Sequence, residues 1–514
     1  MKRIFCSLLT IILLFSCTAC ADWDELSNDP LQELSQYYQA ENEPQKNTEL
    51  YAFALPYSSN ETLDGVTCSD GLQQVVGKLL YESLYELDAA FEPQPLLAAG
   101  YHYDAESFTY TIEIRGDVCF SDGSPLTARD VVETLNRAMQ STRYSSRLNC
   151  VERISGSGNT VIIRLLEPNG GFIRLLDIPM VKSGTETQKV PLGTGPYAIA
   201  RDDSGNYLAP NPFWWQNKPL PLRRIELVPC KSNDAASYAF TAQNVQLLRT
   251  DLIGTNTISA DISGTCVDAP DTVLQYLGFN FGSEFLLSSK VRHAISCAID
   301  RENLVSTYLL GHACAAQFPL PPAIPSYPHE KEQSYNRETV DSAMKTAGLN
   351  SGGEKIPLTL LVNEENHFKV AIATEIARVL NQYDLSVQVQ TLPWEDFLTA
   401  LVYGQYDLYY GEARLLTDWN LSALVGSGGS LNFGGFSYPQ TDELLQAYLE
   451  AQGEQRDAIL SDLCENLQEM QPIAPICFKN ISVLATNNAV DNLAPTAGNP
   501  FYHMENWVIH LAKP

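Results

Sequence analysis

Basic residues are scarce in this chain, in which 33 lysines and arginines accompany 61 aspartates and glutamates, so that the formal net charge is -28. A field of this sign repels nucleic-acid phosphates and anionic lipid headgroups, so we predict no nucleic-acid partner and no basic membrane-binding face. Beyond residue 20 the chain also has no apolar run of the roughly twenty residues that cross a bilayer. Any membrane attachment therefore has to come from the N-terminus.

Motifs of catalysis and of cofactor binding are absent as well. The chain has no G-x-S-x-G motif, and His329-Glu330 lacks the second histidine of a zinc-protease helix. The run 71–78 is followed by Leu79, where a phosphate-binding loop requires serine or threonine. We therefore predict no enzymatic activity, no catalytic residue and no cofactor. A secreted hydrolase stays open as an alternative, because the carboxylates of glycoside hydrolases come from distant loops.

Cysteine spacing favours neither a metal centre nor a disulfide scaffold. Nine of the twelve cysteines follow residue 20, which is an odd number, and no two of these nine form a C-x-x-C pair. The spacing of zinc fingers is missing too. We predict no metal site and interpret these cysteines as mostly buried small apolar residues, with one or two disulfides at most.

The N-terminus has the features of a lipoprotein signal. Residues 1–20 begin with two basic residues and continue with the apolar run 4–15, the length of a secretory-signal core. A leucine three residues before Cys17 and a serine directly before it resemble the bacterial lipobox, in which the cysteine carries the lipid. Cys20 is the alternative acceptor, and an ordinary secretory signal cleaved near Ala21 is the alternative to lipidation.

The rest of the 514 residues is too long for one compact core, and two or more lobes are predicted. Residues 21–48 are polar and acidic and predict a flexible tether. Beyond them, alternating and helical apolar patterns predict strands at 49–55, 108–115 and 160–165 and helices at 72–87 and 128–139, the last capped by Thr127.

The pattern is most regular between residues 356 and 410, where strands alternate with helices. The predicted strands are 356–362, 385–391 and 406–410, and the predicted helices are 368–380 and 394–403. Strand and helix alternating at these lengths indicate a mostly parallel α/β sheet. Because ligand clefts lie beyond the carboxyl ends of such strands, the loop 411–420 is the first candidate for a binding site.

Six motifs occur in the order in which they occur in a known family. The longest, Val118 to Val132, resembles the family pattern F-x-D-G-x-P-[LV]-T-A-x-D-V, and the other five are Gly193–Tyr197, Asn211–Trp214, Leu277–Asn280, Val291–Ile295 and Ala298–Arg301. On these motifs the chain is identified as a member of solute-binding protein family 5, the extracytoplasmic oligopeptide, dipeptide and nickel group of ABC importers. The resemblance runs from about residue 49 to the C-terminus.

These motifs are interpreted as parts of the scaffold rather than of the solute site. Gly123 and the run 193–196 have the composition of turns, with glycine for positive φ and proline for fixed φ. Arg292, Asp300 and Arg301 lie in predicted helices and are interpreted as pairing and capping residues.

The resemblance implies a two-lobed α/β fold of the periplasmic-binding-protein type II, with mixed sheets flanked by helices and a hinge between the lobes. Carried onto this chain, lobe I comprises 49–60, 190–270 and 479–514, its inserted subdomain comprises 61–189, and lobe II comprises 271–478.

The implied function is that of a lipid-anchored, monomeric receptor on the outer face of a bacterial membrane. It captures a small solute between the lobes, a short peptide first of all, and delivers it to an ABC permease. A nickel, metal-chelate or other non-peptide solute is the alternative within the same fold. A sensory or adhesive lipoprotein without a transporter is a further alternative.

The implied site centres on the loop after the third strand. In peptide-binding members an aspartate after the last crossover strand pairs with the free amino group of the peptide, and Asp418 matches it by position. The alternative is that Asp418 caps a helix that begins near Asn420. Glu412 and Arg414 either bind the two ends of a zwitterion or pair with each other, and Trp419 follows the aspartate.

Other predicted lining residues are mostly aromatic. Tyr57 follows the first strand, Trp394 begins a helix, and Asn432 and Phe433 follow the loop 426–429. The alternative for these four side chains is packing in the core.

Overall fold

The computed structural model describes residues 52–255, 264–486 and 489–511. The predicted signal at 1–20 and the predicted tether at 21–48 lie outside the described residues.

Within these ranges the chain forms nineteen strands and eleven α-helices. The strands are β1 (Ala54–Tyr57), β2 (Tyr85–Leu87), β3 (Pro93–Pro95), β4 (Ala98–Asp104), β5 (Thr109–Ile114), β6 (Val151–Ser157), β7 (Thr160–Leu165), β8 (Tyr197–Asp202), β9 (Gly205–Pro210), β10 (Ile225–Pro229), β11 (Leu247–Thr250), β12 (Gly264–Phe279), β13 (Ala313–Ala315), β14 (Ile356–Asn363), β15 (Leu385–Leu392), β16 (Leu408–Arg414), β17 (Ile473–Thr486), β18 (Val490–Asp491) and β19 (Val508–Ile509). The helices are α1 (Gly71–Leu80), α2 (Ala128–Gln140), α3 (Asn233–Thr241), α4 (Ser289–Cys297), α5 (Arg301–Tyr308), α6 (Arg337–Thr346), α7 (His367–Leu380), α8 (Trp394–Val402), α9 (Ser422–Val425), α10 (Pro439–Glu450) and α11 (Gly453–Met470). Of these helices, none combines the length and the hydrophobicity that crossing a bilayer requires.

The largest sheet has seven strands in the order β11-β17-β12-β16-β14-β15, with β13 also paired to β17. Strand β14 is parallel to both β15 and β16, whereas β12 and β17 run antiparallel to each other over most of their length. Every residue of β17 is buried. The pairing of β12 with β17 is irregular between Pro270 and Leu274, so one long two-stranded ladder contains a local break.

Two four-stranded sheets and two two-stranded sheets accompany the large sheet in the described residues. The sheet β1-β10-β9-β8 and the antiparallel sheet β4-β5-β7-β6 share one apolar core, to which Leu55, Val161 and Leu208 belong. A second core, which includes Phe318 and Tyr409, lies against β12, β14 and β16. The predicted two-lobed α/β class with mixed sheets is confirmed.

Predicted and observed elements agree best where the local pattern is strongest. Strand β7 has the predicted bounds, and α2, α7, α8, β14 and β15 differ from theirs by a residue or two. Thr127 is the N-cap of α2 as predicted and forms a capping box with Asp130, whose carboxylate accepts the Thr127 amide at 2.9 Å and the Thr127 hydroxyl at 2.5 Å.

Helix α1 ends seven residues earlier than predicted. The carbonyl of its last residue, Leu80, accepts a hydrogen bond from the distant Gly195 amide at 3.0 Å. Residues 85–87 then pair with β3 as a strand. Neither Gly193 nor Gly195 has a positive φ, unlike Gly123 with φ +82. Glycine is required at 193 because a Cβ there would lie 2.1 Å from the Leu80 oxygen.

Strand β16 begins two residues later and extends four residues further than predicted. Its antiparallel pairing with β12 continues from Phe279 to Val273, which keeps residues 411–414 in the sheet. Four of the ten residues of the predicted binding loop 411–420 therefore lie in the strand. Sequence alone does not show that β12 supplies their hydrogen-bond partners.

Candidate binding site

A cavity of about 430 Å³ lies where three distant parts of the chain meet. Strand β11 and residues 496–500 form one side, the region of α1 and residues 143–147 a second, and residues 271–272 and 414–417 a third. A neighbouring cavity of about 420 Å³ shares Lys78, Leu87, Asp177, Thr496 and Gly498 with the first. Because the predicted lobe I, inserted subdomain and lobe II all contribute, this cavity is the candidate solute site.

The cavity is rich in positive charge. Its ionised lining consists of five cationic side chains (Lys78, Arg143, Arg147, Arg249 and Arg414) and three carboxylates (Asp88, Asp177 and Asp271). Arg147 pairs with Asp177, and Arg414 Nη1 lies 2.8 Å from Asp271 Oδ1. Among the described residues, none of the other three cations has a carboxylate within ion-pair distance. The cavity therefore has a positive surplus in a chain whose formal net charge is -28.

Lys78 reaches the cavity from the last turn of α1. Val76, Leu79 and Leu80 are buried on the apolar side of that helix, while Gln74, Val75 and Lys78 line the cavity, with Gln74 and Lys78 four residues apart on one face. Its Nζ has neither a hydrogen bond nor an ion pair within the described part of the chain. Burial lowers the pKa of Lys78 because it disfavours the ammonium, and Asp177 opposes that shift in part.

Two arginines complete the unpaired positive charge. Arg249 lies in β11, and its Nη2 donates to the Ala497 carbonyl at 3.1 Å. Burial lowers the pKa of Arg249 as well. Arg143 Nη1 donates to the Gly65 carbonyl at 3.2 Å, and its guanidinium lies 4.9 Å from the centre of the Tyr144 ring. Both guanidinium groups are thus held by neutral partners and keep their charge available to a ligand.

The structure places Asp418 outside the cavity lining. The residue is 2% exposed, and its Oδ2 accepts from Asn169 Nδ2 at 2.8 Å. Its Oδ1 accepts a hydrogen bond from the Asn420 amide at 3.2 Å. This bond closes a turn before α9, and Asp418 is not the N-cap residue of that helix, since Leu421 holds the N-cap position. An incoming amine would share this buried carboxylate with the Asn169 side chain and the Asn420 amide, and the amine-binding role of Asp418 stays a prediction.

Glu412 and Arg414 do not pair with each other. Glu412 Oε2 lies 3.2 Å from Lys369 Nζ and 3.9 Å from Lys479 Nζ. Burial alone would raise the pKa of Glu412, but these two lysines outweigh it and lower the pKa. Only Arg414 of the two lines the cavity, where Asp271 holds it.

Trp419 supports the cavity from behind. It is 4% exposed, and its ring meets the edge of Phe91 with centroids 5.4 Å apart. Phe91 itself lines the cavity. Trp419 therefore fixes a lining residue without facing the cavity.

The remaining predicted lining residues lie elsewhere. Tyr57 is buried in β1, where its hydroxyl accepts from Asn206 Nδ2 at 3.0 Å. Trp394 is 47% exposed at the start of α8 and stacks on Phe397. Neither side chain is brought to the cavity.

The loop residues at 432 and 433 serve their own surroundings. Asn432 Nδ2 donates to the carbonyls of Gly426 and Phe436 at 2.9 and 2.7 Å, which closes the loop. Phe433 packs edge-on against Tyr409 with centroids 6.3 Å apart. Of the eight predicted site residues, the structure places only Arg414 on the cavity.

Sequence reasoning missed Lys78, Arg143 and Arg249. A signal existed for Arg249, because a charge that directly follows two leucines in the short strand LLRT needs either a partner or a function. Lys78 gave no comparable signal, since a lysine in the last turn of a helix is ordinary at any surface.

The chain matches the family model of bacterial extracellular solute-binding proteins, family 5 Middle, over residues 92–428. The glutathione-binding protein GsiB of Salmonella typhimurium is 26% identical over 434 residues, which covers 76% of this chain and 82% of that protein. GsiB of Escherichia coli K12 is 25% identical over 426 residues with the same coverage.

Solved structures share the fold. A nickel ABC transporter protein from Bacillus halodurans superposes with a TM-score of 0.75 at 20% identity, covering 88% of this chain and 98% of that one. The periplasmic murein tripeptide binding protein MppA, in its unliganded open form, gives 0.74 at 20% identity, with coverages of 90% and 99%. The oligopeptide-binding protein AppA from Bacillus subtilis, in complex with a nonapeptide, gives 0.60 at 20% identity, with coverages of 90% and 100%.

Proposed function

This chain belongs to the bacterial extracellular solute-binding proteins of family 5, and on that premise we propose that it captures a small anionic peptide for an ABC importer. The observation that carries the proposal is the positive surplus of the cavity between the lobes, above all the unpaired ammonium of Lys78. The Lys78 side chain is half-buried, so its ammonium is partly desolvated without a counter-ion, and a carboxylate of the solute offsets that cost when it binds.

Several carboxylates on one solute fit this cavity better than one. Lys78, Arg143 and Arg249 are three separate positive groups, and guanidinium groups bind carboxylates in a bidentate geometry. Glutathione, which GsiB is named for, carries two carboxylates and one ammonium group. The side chains that line the cavity, all within the described ranges, include neither histidine nor cysteine. A bare nickel ion therefore lacks its preferred nitrogen and sulfur ligands here.

Closure of the lobes is proposed to occur at the break in the long ladder. The irregular pairing of β12 between Pro270 and Leu274 contains Asp271 and Thr272, both of which line the cavity. The predicted boundary between lobe I and lobe II falls at the same place, after residue 270. Solute bound to both sides of this break would hold the lobes together, and the permease would recognise the closed form.

Titration calorimetry on the purified protein tests the proposal. We expect S-methylglutathione to bind at least about tenfold more tightly than its diamide, the scale of a lost charged hydrogen bond. Equal affinities for acid and amide would reject an anionic solute. Binding of a nickel–histidine chelate with no binding of any peptide would favour the non-peptide alternative. Titration with the N-acetylated form of the same peptide tests Asp418. Equal affinities for the free-amine and the N-acetylated peptide would reject the predicted contact between the amine and Asp418.

The affinity for the acid is expected to fall as the pH rises through the alkaline range. The pKa of Lys78 lies below its ordinary value, so the ammonium is lost as the pH rises through that lowered pKa, before an ordinary lysine would lose its proton. Burial raises the pKa of the neighbouring Tyr144 to about 12, so this phenol stays neutral over the same range. Calorimetry at several pH values measures the profile.

The matched control for this titration is Lys78→Arg. Its guanidinium stays protonated, so its profile should retain only the titration of the solute itself. If wild type and Lys78→Arg lose affinity in parallel, Lys78 is not the titrating group.

The protein is proposed to be a monomer without enzymatic activity that is held to the outer face of the membrane through a lipid on Cys17. The combination of an apolar run too short to cross a bilayer with the lipobox-like residues before Cys17 supports the anchor. We expect Cys17→Ala to move the protein from the membrane fraction to the medium or periplasm, as measured by fractionation. Retention of Cys17→Ala together with release of Cys20→Ala would assign the lipid to Cys20.

A further inference from the structure

Three metal-ligating side chains meet on the seven-stranded sheet, on residues that do not line the cavity. The Cys266 thiol, the Asp268 carboxylate and the His312 imidazole each place a ligand atom within 4.8 Å of the other two. His312 Nδ1 lies 2.9 Å from Asp268 Oδ2, and Cys266 Sγ lies 3.8 Å from Asp268 Oδ1. The sequence separation of 44 residues between Asp268 and His312 hides this cluster from any search for ligand spacing.

The pairing of three strands brings the side chains together. Cys266 and Asp268 are two residues apart in β12 and so project from one face of the sheet. Asp268 is paired with Ser482 of β17. Asn480, two residues before Ser482 in β17, donates its amide to the carbonyl of His312, which directly precedes β13. Strand β17 thus aligns His312 with the two β12 residues.

The donor set suits zinc. Thiolate, imidazole and carboxylate are the three ligand types of Zn²⁺, and three protein ligands with one water are common in open sites. Tetrahedral ligands at zinc bond lengths lie about 3.5 Å apart, close to the separations found here. Ser482 Oγ donates to Asp268 Oδ1 at 2.6 Å and orients the carboxylate as outer-shell partners do. We propose that Cys266, Asp268 and His312 bind one Zn²⁺ ion.

Binding exchanges a proton for the metal. Burial and the adjacent Asp268 carboxylate raise the pKa of Cys266 to about 11, so the metal-free thiol is protonated at neutral pH. Zn²⁺ forms its bond to sulfur as the thiol proton leaves to solvent, and the Asp268 carboxylate and one imidazole nitrogen of His312 supply the other two lone pairs. The imidazole and the carboxylate keep 17% and 24% of their surface exposed, which lets the ion enter.

A bound ion would connect strand β12 to the chain entering β13. The connection lies next to the irregular pairing between Pro270 and Leu274. Zinc is therefore expected to raise the melting temperature of the full chain and to stiffen the part of β12 next to the irregular pairing.

Cobalt substitution tests the site directly. The full chain, purified without a histidine tag and stripped of metal by chelator, is titrated with Co²⁺ and then with Zn²⁺. We expect one equivalent of Co²⁺ to give a sulfur-to-cobalt charge-transfer band with tetrahedral d–d bands, and Zn²⁺ to displace it. Cys266→Ser should abolish the charge-transfer band, and His312→Ala should weaken Co²⁺ binding at least about tenfold.

The matched control is Cys314→Ser, which removes a neighbouring thiol that bonds to Asn480. This variant should keep the full spectrum. A charge-transfer band that survives Cys266→Ser, or a stoichiometry that no variant at these three positions reduces, would overturn the site. The absence of any cobalt spectrum in the wild-type protein would do so as well. Circular dichroism of each metal-free variant separates loss of the site from loss of the fold.

Discussion

Replacing Lys78 by methionine is expected to weaken binding of an anionic peptide by roughly tenfold to a hundredfold, the range of a hydrogen bond between charged groups. Methionine keeps the apolar stem of the side chain and removes only the ammonium. The same change is expected to leave the unliganded protein as stable as wild type or more stable, because the half-buried ammonium has no hydrogen-bond or ion-pair partner in the described structure. Calorimetry and thermal melting measure the two effects.

The sign of the stability effect follows from the lowered pKa of Lys78. A base whose pKa is depressed by folding destabilises the folded state while it is protonated. The advantage of Lys78→Met should therefore be full below the lowered pKa of Lys78 and disappear as the pH rises to the ordinary pKa of a lysine. Lys231→Met, at an exposed position, is the control and should change neither property. A Lys78→Met protein that unfolds more easily but binds normally would make Lys78 a structural residue.

Arg292→Met is expected to have the opposite profile, with a loss of about 4 kcal/mol in the free energy of unfolding and little change in the affinity of the folded protein. The Arg292 guanidinium is 3% exposed and donates to the carbonyls of Leu286, Leu287, Met470 and Gln471. Two of these carbonyls lie at the C-terminal end of α11. Methionine would leave all four without this donor, and denaturant titration measures the cost.

Arg129 supplies the matched control for Arg292. It lies in the longest of the six motifs, but its side chain is 77% exposed and pairs with Glu133 one turn along α2. An exposed pair of this kind contributes less than about 0.5 kcal/mol, so Arg129→Met should scarcely change the unfolding curve. Similar losses for the two variants would contradict the assignment of Arg292 as a buried cap.

The sequence predicted what local patterns determine. The alternation of strands and helices between residues 356 and 410 was recovered with small shifts, because each element is specified by its own apolar period. Arg292 was correctly interpreted as part of the scaffold, and Asp300 caps α5 through the Asn303 amide. The sequence predicts strand β16 only as far as residue 410. Its extension to Arg414 depends on pairing with β12, more than 130 residues away.

The binding site could not be predicted in the same way, because its residues share no local pattern. Lys78 faces the cavity from helix α1, whereas Arg249 and Asp271 come from two strands of the seven-stranded sheet. The carboxylate of Asp418 accepts a hydrogen bond from Asn169, which lies 249 residues earlier in the sequence. Such partners depend on the packing of whole lobes, and a single sequence does not reveal that packing. All nine cysteines of the described part are free, so the one or two disulfides that were allowed for do not occur there.

A crystal structure of the protein with its tightest-binding peptide acid would test the central claim most directly. We expect a carboxylate oxygen of the solute about 3 Å from Lys78 Nζ, with a second carboxylate bonded to Arg249 or Arg143. A solute bound between the lobes with its carboxylates turned to solvent, or bound at another surface altogether, would contradict the account.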